Sequence, residues 1–367
     1  MFAMNPILKT LSKSLLIVGI MSSHTLSAQK STTVTVEEAE KLSVQLDTTV
    51  SNGNPEILNK LINFPEFIKR MKSKSKLVDN VDTLTKIAGG FGLFNIGNRA
   101  VEISKNGCYH LVRGYVKDEE MHLLFRAFGD GGLNYHDITL VKIRDEIKAA
   151  DIFSYELGEP YTALFSALIA DKDPQDEHKS VTANQKYLGQ FETALTRKNY
   201  STARSAFEKL DEETQHDKRI LLHYIQACEH SDLKSYKKAL NQFVALYPDE
   251  PTPYLLMTEI YADTKEYALY SSAIDRLDTL LSIDPFLNYF RGNLEMKAGS
   301  VQQALDYYQQ AFEYDPGIWQ NTKKLVACKV INNELVQANT VINQYKHVPG
   351  YRKELVESFY KEYPGLK

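Results

Sequence analysis

The chain has 367 residues and a formal charge of −4, with 25% charged and 43% hydrophobic residues. These values are ordinary for globular proteins, so the composition excludes general disorder, and the length allows two domains of usual size. The mildly acidic balance excludes the basic surface that nucleic-acid binding requires, and no nucleic-acid partner is expected.

The first 28 residues have the layout of a secretory signal peptide. Lys9 and Lys13 are their only charges, an apolar run follows from Leu15 to Met21, and small residues end the segment at Ala28. The run is shorter than the roughly 20 residues that span a bilayer. We expect cleavage after Ala28, and so a bacterial protein that is periplasmic or secreted. The alternatives are a structural first helix and an uncleaved anchor.

The mature chain is expected to contain no transmembrane segment. No later segment reaches 18 uninterrupted apolar residues. Cleavage removes two lysines and no acid, which changes the formal charge from −4 to −6.

Residues 31–170 carry no repeat, and predicted helices precede predicted strands. Thr35 stands as a candidate cap before two glutamates, and proline suits the first turn of a helix. The glycines between Gly89 and Gly97 predict a loose chain. Helices are predicted over Thr35–Thr49, from Asn54-Pro55, from Phe64-Pro65, and over Val81–Phe91.

Four strands are predicted next, joined by short polar connections typical of hairpins. Consecutive hairpins form an antiparallel meander, so residues 31–170 are predicted to be an α+β domain. Helices followed by a four-stranded meander resemble the cone-shaped fold of nuclear transport factor 2 and ketosteroid isomerase. The predicted strands are Cys108–Val116, Met121–Phe128, Leu133–Ile143 and Ile147–Tyr155.

A cone fold often encloses a ligand cavity, so its titratable residues are candidates for a site. An uninterrupted hairpin between the first two strands places His110 on the apolar side, which faces inward. His136 and Asp151 could converge there with His110, as an acid and base pair with an orienting carboxylate. The alternative is that all three are hydrogen-bonded core residues.

Residues 171–180 separate this region from the remainder of the chain. Seven of the ten residues are charged or histidine, and one is proline. The segment is predicted to be a linker or an exposed loop.

From residue 181 onward one pattern recurs, an alanine followed four residues later by a bulky apolar side chain. The alanines are separated by 36, 34, 31 and 34 residues. Pro251, Pro285, Pro316 and Gly350 stand twelve residues after the last four alanines and predict helix ends. The five pairs are Ala203 with Phe207, Ala239 with Phe243, Ala273 with Leu277, Ala304 with Tyr308, and Ala338 with Ile342.

The segment from Phe286 to Pro316, with Gly292, Gly299, Ala304 and Tyr308, closely resembles a tetratricopeptide repeat. That resemblance implies about five helical hairpins over residues 181–367, stacked into an all-α superhelix. It also implies that the first helix of each hairpin lines a groove for a peptide or protein partner. The implied groove residues are Tyr224, Thr258, Tyr289, Asn293, Lys297 and Lys323.

Some tetratricopeptide proteins hold a peptide's terminal carboxylate with lysine, asparagine and arginine side chains. This chain has Tyr289 where a lysine would be needed, and repeat 2 offers Leu221 and Tyr224. The departure from that pattern disfavours capture of a chaperone tail.

No motif in the sequence indicates a cofactor or a metal. The odd set Cys108, Cys228 and Cys328 argues against a disulfide framework, and the three are expected to be buried fillers. Neither HExxH nor paired CxxC occurs, and Gly129–Gly132 is predicted to be a turn. The sequence therefore favours an exported, non-catalytic interaction protein. The alternative is a small-molecule-binding or weakly catalytic N-terminal domain that the repeats localise.

Overall fold

A computed structural model describes residues 33–74, 95–170, 182–348 and 351–366. The predicted signal peptide, linker and Val81–Phe91 helix, together with Gly350, lie outside these residues. The structure has an antiparallel sheet of five strands and many helices. No helix within the described ranges is long and apolar enough to cross a membrane.

Among the described residues, the N-terminal region has helices first and strands afterwards, as predicted, although the helix Ile96–Ile103 was not predicted. Thr35 caps the first helix through the backbone N–H of Glu38, and the Glu38 side chain accepts from the Thr35 backbone in return. The elements are α1 (Val36–Ser51), α2 (Glu56–Leu61), α3 (Phe64–Lys74), α4 (Ile96–Ile103), β1 (Cys108–Lys117), β2 (Glu120–Gly129), β3 (Gly132–Ile143), β4 (Glu146–Ser154) and a two-residue β5 (Glu159–Pro160).

The rest of the chain is helical. Its helices are α5 (Tyr161–Ala170), α6 (Ala183–Thr196), α7 (Tyr200–Phe207), α8 (Glu212–Gln215), α9 (Lys218–Glu229), α10 (Leu233–Leu246), α11 (Thr252–Asp263), α12 (Tyr267–Leu280), α13 (Asn288–Ala298), α14 (Val301–Tyr314), α15 (Trp319–Ile331), α16 (Leu335–Tyr345) and α17 (Lys353–Glu362), with 3-10 turns at Pro285–Leu287 and Pro364–Leu366. We call the pairs α6/α7, α9/α10, α11/α12, α13/α14 and α15/α16 repeats 1 to 5.

Each predicted alanine lies in the second helix of its hairpin and is buried, as is its bulky partner. In repeat 4 the close approach is visible at Gly292, where an added Cβ would lie 2.6 Å from the ring of Tyr308. Small residues therefore let the two helices meet, and the adjacent large residue fills the space beside them. The helical hairpins predicted from the pattern are present.

The predicted breaker Pro316 directly follows the C-cap of α14, as expected, whereas the breakers of repeats 2 and 3 stand in the turns and do not end the helices themselves. The second helices of repeats 2 and 3 stop at Leu246 and Leu280, five residues before Pro251 and Pro285. Pro251 instead occupies the N-cap of α11. Proline suits the start of a helix because backbone N–H groups there have no partner within the helix, and proline has no N–H.

One local prediction was wrong, because Gly97 does not loosen the chain. It lies inside α4, where a Cβ would come within 2.2 Å of the carbonyl oxygen of Pro55. Its backbone N–H donates to the side chain of Asn59, 2.7 Å away. Glycine is needed here for close packing of α4 on α2.

The packing divides the chain into two compact units. The first contains residues up to 154 and residues 283–367, and the second contains residues 155–282. The first unit therefore joins the N-terminal sheet to repeats 4 and 5. The predicted boundaries, 31–170 for an α+β domain and 181–367 for the repeats, follow chain order and stay a prediction.

In the first unit, strands β1 to β4 form a meander in chain order, and its two sides pack against different partners. One side carries Leu111 and Leu123 and lies under α1. We call this the helix-facing side. The other carries Phe128, whose ring lies 4.8 Å from that of Phe286 and 5.4 Å from that of Tyr289. We call it the repeat-facing side.

The sheet reaches the repeats through the turns that link them. Phe286 belongs to the turn before repeat 4, and Gln320 and Arg352 follow the next two turns. Both side chains donate to Asn106, which precedes β1, at 2.7 and 2.8 Å. The first unit is therefore one packed body, even though its two parts are far apart in the sequence.

The second unit contains α5 and repeats 1 to 3. Phe191, Phe207 and Tyr224 form a continuous aromatic contact from repeat 1 into repeat 2, with the last two rings stacked 3.8 Å apart. Leu255 and Ile274 are buried in the core of repeat 3. These contacts are those expected when hairpins stack on their neighbours.

Candidate functional site

The groove residues predicted in repeats 2 and 3 lie inside the protein. Tyr224 is buried against Phe207. Burial raises the pKa of Tyr224, and the nearby Cys228 adds to that shift. Thr258 is also buried, and its hydroxyl donates to the carbonyl oxygen of Leu255, 2.7 Å away. Tyr224 therefore joins repeats 1 and 2, and Thr258 is bonded within its own helix.

The predicted groove residues of repeat 4 are likewise in contact with other residues. Tyr289 is stacked with Phe286 and touches Phe128 of the sheet. Asn293 accepts a hydrogen bond of 2.8 Å from the hydroxyl of Tyr308. These two residues therefore stabilise the first unit.

Only the two predicted lysines are exposed. Lys323 forms an ion pair of 3.2 Å with Glu362, and its ammonium lies 5.9 Å from the centre of the Phe359 ring. About half of each partner's side chain is exposed, and such surface pairs contribute about 0–1 kcal/mol. Lys297 lies at the exposed end of α13.

The first helices of repeats 2 and 3 expose a different set of side chains. Gln226 and Glu229 of α9, and Glu259 and Asp263 of α11, face solvent. Partial desolvation and the nearby carboxylates of Glu156, Glu229 and Asp263 raise the pKa of Glu259. Sequence reasoning missed this acidic surface, although its signal is a glutamate near the end of each first helix.

The three residues predicted to form an N-terminal cavity do not come together. A bulge between Leu111 and Arg113 shifts the register, so His110 pairs with Arg126 and not with Ala127. A shift of one residue moves every side chain beyond it to the other side of the sheet. His110 is therefore on the repeat-facing side, whereas His136 is on the helix-facing side, where it contacts Tyr109.

His136 is fully buried, and burial lowers its pKa to about 4, with a smaller contribution from Arg99. Its ring is therefore neutral near pH 7. The side-chain amide of Asn134 donates to Nε2 at 3.4 Å, so Nδ1 carries the proton and donates to the Tyr109 oxygen at 3.3 Å. Both ring nitrogens have partners, which makes His136 a core residue.

Asp151 is buried as well, and a second bulge changes its predicted side. Asp151 pairs with Thr139, while Ala149 pairs with the next residue, Leu140. Since neighbours on a strand point to opposite sides, Asp151 and Ala149 lie on opposite sides of the sheet. One carboxylate oxygen of Asp151 accepts from the backbone N–H of Ile152 at 2.9 Å.

The repeat-facing side instead carries a buried charge network centred on Arg126. The Arg126 side chain is fully buried and lies 2.6 Å from Asp284 and 3.5 Å from Asp315, while its guanidinium covers the Phe286 ring at 4.2 Å. Tyr135 donates to the second oxygen of Asp284 at 2.8 Å. The network joins β2 and β3 to the turns before repeats 4 and 5.

His110 extends this network to the N-terminal helices. Its Nδ1 lies 2.8 Å from Asp47 of α1 and 3.6 Å from Asp315. Burial lowers the pKa of His110, but Asp315 and Asp47 outweigh that effect and raise it above 6.5. The two carboxylates therefore favour the protonated form of the ring, in a site from which water is largely excluded.

The structure offers neither a metal-binding group nor a reactive thiol among the residues that it describes. No group of three metal-binding side chains is found in the described ranges. Cys108, Cys228 and Cys328 are buried and unpaired with one another, and burial raises the pKa of Cys108 to about 12. A thiol held neutral in this way is a weak nucleophile.

A hydrogen-bonded group on the repeat-facing side was not predicted. Asp137 of β3 accepts from the hydroxyl of Tyr115 and from Nδ1 of His122, the latter at 3.0 Å. The rings of Tyr115 and His122 are stacked, with centres 5.0 Å apart, and the Arg113 guanidinium lies 4.6 Å from the centre of the Tyr115 ring. The sequence signal for this group was the presence of polar residues at alternate positions in the otherwise apolar strands β1 and β2.

Comparison with known proteins identifies no family. No family model matches the chain, and no curated protein matches it. Among solved structures, "Crystal structure of MamA protein" is similar at 15% identity and a TM-score of 0.38, covering 49% of this chain and 94% of that one. "MamA AMB-1 P212121" is similar at 16% identity and a TM-score of 0.37, covering 47% and 94%. At such scores the fold assignment rests on this chain's own hairpins.

Proposed function

We propose that this chain is an exported protein-interaction scaffold that binds a protein or peptide through the first helices of repeats 2 and 3. The observation that carries the proposal is that α9 and α11 each have one buried apolar side and one exposed polar side. Their apolar sides are buried, whereas Gln226, Glu229, Glu259 and Asp263 are exposed. Stacked hairpins present such residues as a continuous row, which suits an extended partner.

The charges on this row determine the chemistry of the partner. Glu229, Glu259 and Asp263 supply negative charge, and the pKa of Glu259 is raised by desolvation first and by repulsion from nearby carboxylates second. A partner that carries lysine or arginine relieves that repulsion. We therefore propose a partner segment with basic side chains, and binding that weakens with salt.

Site-specific photocrosslinking in intact cells tests the location of the surface. A crosslinking residue at Gln226 or Glu259 should capture a discrete partner, whereas the exposed second-helix positions Lys238 and Asn241 should not. Equal capture from both helices would contradict the proposal, and so would capture from the second helices alone.

Charge-neutral variants test the chemistry of the surface. The combined change of Glu229→Gln, Glu259→Gln and Asp263→Asn should weaken binding of the captured partner by tenfold or more, on the order of 1.4 kcal/mol. Asp275→Asn removes an exposed acid from a second helix and serves as the control. Equal effects of the two changes would mean that only net charge matters.

Export is the second part of the proposal, and it rests on the layout of residues 1–28. Sequencing the N-terminus of the protein isolated from the cell envelope tests it. A chain that begins at Gln29 supports export with cleavage after Ala28. An unprocessed chain recovered from the cytoplasm would contradict it.

A further inference from the structure

A second polar group on the sheet is formed by Arg113, Tyr115, His122 and Asp137. Arg113 and Tyr115 lie on β1, His122 on β2 and Asp137 on β3. The register places all four on the repeat-facing side, next to the Arg126 network but outside it. All four side chains are partly buried.

Arg113 has no anionic partner among the residues that the structure describes. Its guanidinium lies 4.6 Å from the centre of the Tyr115 ring, and its buried Nε has no hydrogen-bond acceptor in the described ranges. A cation held partly out of water costs free energy unless an anion accompanies it. The contact with the aromatic ring fixes the position of Arg113 but supplies no such anion.

His122 is held by its Nδ1, and its Nε2 points elsewhere. Asp137 accepts from Nδ1 at 3.0 Å and also from the hydroxyl of Tyr115, so both its oxygens are used. A carboxylate bound to Nδ1 favours the tautomer in which Nε2 accepts a proton or a hydrogen bond. No described residue hydrogen-bonds to Nε2, and that atom is not among the fully buried unpartnered atoms.

We propose that this group binds a small hydroxylated carboxylate, with its carboxylate on Arg113 and a hydroxyl donating to Nε2 of His122. Such a ligand supplies both missing partners, because its carboxylate is an anion for the guanidinium and its hydroxyl is a donor for the imidazole nitrogen. Tyr115 contacts both and sets their spacing, with the two groups 4.6 and 5.0 Å from its ring centre. The site is distinct from the proposed partner surface of repeats 2 and 3.

Three related compounds separate the two contacts in calorimetric titrations of the full chain. Gluconate carries the carboxylate and the hydroxyls, butyrate carries only the carboxylate, and glucitol carries only hydroxyls. Gluconate should bind saturably and at least tenfold more tightly than either of the others. Butyrate lacks the hydroxyl that bonds to His122, and glucitol lacks the carboxylate that bonds to Arg113. Gluconate binding no better than butyrate would overturn the role of His122.

Two substitutions assign the contacts to their residues. Arg113→Met should reduce gluconate affinity to about that of glucitol, and His122→Phe should reduce it to about that of butyrate. Lys117→Gln removes an exposed cation from the same strand and should leave the affinity unchanged. If Lys117→Gln weakens binding as much as Arg113→Met, the attraction is a general effect of charge and the site does not exist.

A loss of binding counts only in a folded protein. The fluorescence of Trp319, the single tryptophan, reports unfolding of the first unit in urea. If Arg113→Met and His122→Phe keep the wild-type urea midpoint and lose affinity for gluconate, the site is supported. If both variants fold and keep the wild-type affinity, the site is refuted. Should His122→Phe unfold, His122→Gln with Asp137 intact replaces it.

Discussion

Removing Arg126 should strongly destabilise the first unit, because its guanidinium lies between two buried carboxylates of the network. In Arg126→Met, Asp284 loses the 2.6 Å contact and Asp315 loses the 3.5 Å contact. Breaking a buried ion pair by removing one partner costs about 3–5 kcal/mol, since the other charge stays buried without compensation.

The remaining contacts place the expected loss at the lower end of that range. Asp284 keeps the hydroxyl of Tyr135 at 2.8 Å and the backbone N–H of Phe286 at 3.1 Å. Asp315 keeps the backbone N–H of Gly317 at 3.0 Å and the ring of His110 at 3.6 Å. We therefore expect a loss of about 3 kcal/mol in the free energy of unfolding.

Urea denaturation followed by Trp319 fluorescence measures this loss in the first unit. With a slope of about 2–3 kcal/mol per molar urea, the midpoint should fall by about 1 M. Lys237→Gln breaks a partly exposed pair with Glu266 in the second unit and is the control. Its effect on the Trp319 midpoint should be negligible.

A double-mutant cycle decides whether the loss comes from the ion pair. In Arg126→Met with Asp284→Asn, the uncompensated carboxylate is gone, so the combined loss should be smaller than the sum of the two single losses by at least 1 kcal/mol. Strict additivity, or a loss below about 1 kcal/mol in Arg126→Met alone, would refute the reasoning.

Two further predictions concern His110 and the helical glycines. Because the pKa of His110 is raised in the folded state, its contribution to stability is complete below pH 6.5 and is lost as the pH rises through the raised value. The urea midpoint followed by Trp319 fluorescence should therefore fall as the pH is raised in the wild type, and fall less in His110→Gln. The same pH dependence in both proteins would exclude His110 as the titrating group. Gly292→Ala should destabilise repeat 4 by about 1–3 kcal/mol, since the new Cβ meets Tyr308 at 2.6 Å. Gly189→Ala, with nothing within 4 Å, should stabilise by about 0.5–1 kcal/mol, and thermal melts that rank the two alike would contradict this account.

Much of the fold follows from local patterns. The repeat alanines predicted the helical hairpins, because the close contact of two helices selects a small residue at a fixed position. Strand limits such as Cys108 and Ile143 were predicted to the residue, since polar turns bound the apolar runs. The cone-shaped fold suggested by the order of these elements stays a prediction.

The side of the sheet on which His110 lies was not predictable. The bulge follows Leu111, in the run Leu111-Val112-Arg113, where no glycine or proline marks an irregularity. An extra residue there moves the side chains before it to the opposite side of the sheet. His110 was therefore assigned to the wrong side, and the candidate cavity does not form.

The docking of the sheet on the repeats was out of reach for a related reason. Arg126 and its two carboxylates are 158 and 189 residues apart in the chain. One clue was present, because Arg126 interrupts the otherwise apolar run from Leu123 to Phe128. A charge in a central strand requires a buried counter-charge, but the sequence does not say which of its 47 acids supplies it.

The repeat period explains why two carboxylates reach one arginine. Asp284 and Asp315 each precede a proline in a turn between repeats, and each accepts from the backbone N–H two residues later. Residues in the same position of neighbouring hairpins lie side by side when the hairpins stack. A turn residue thus recurs as a carboxylate in successive repeats, and a single guanidinium on the sheet contacts both carboxylates.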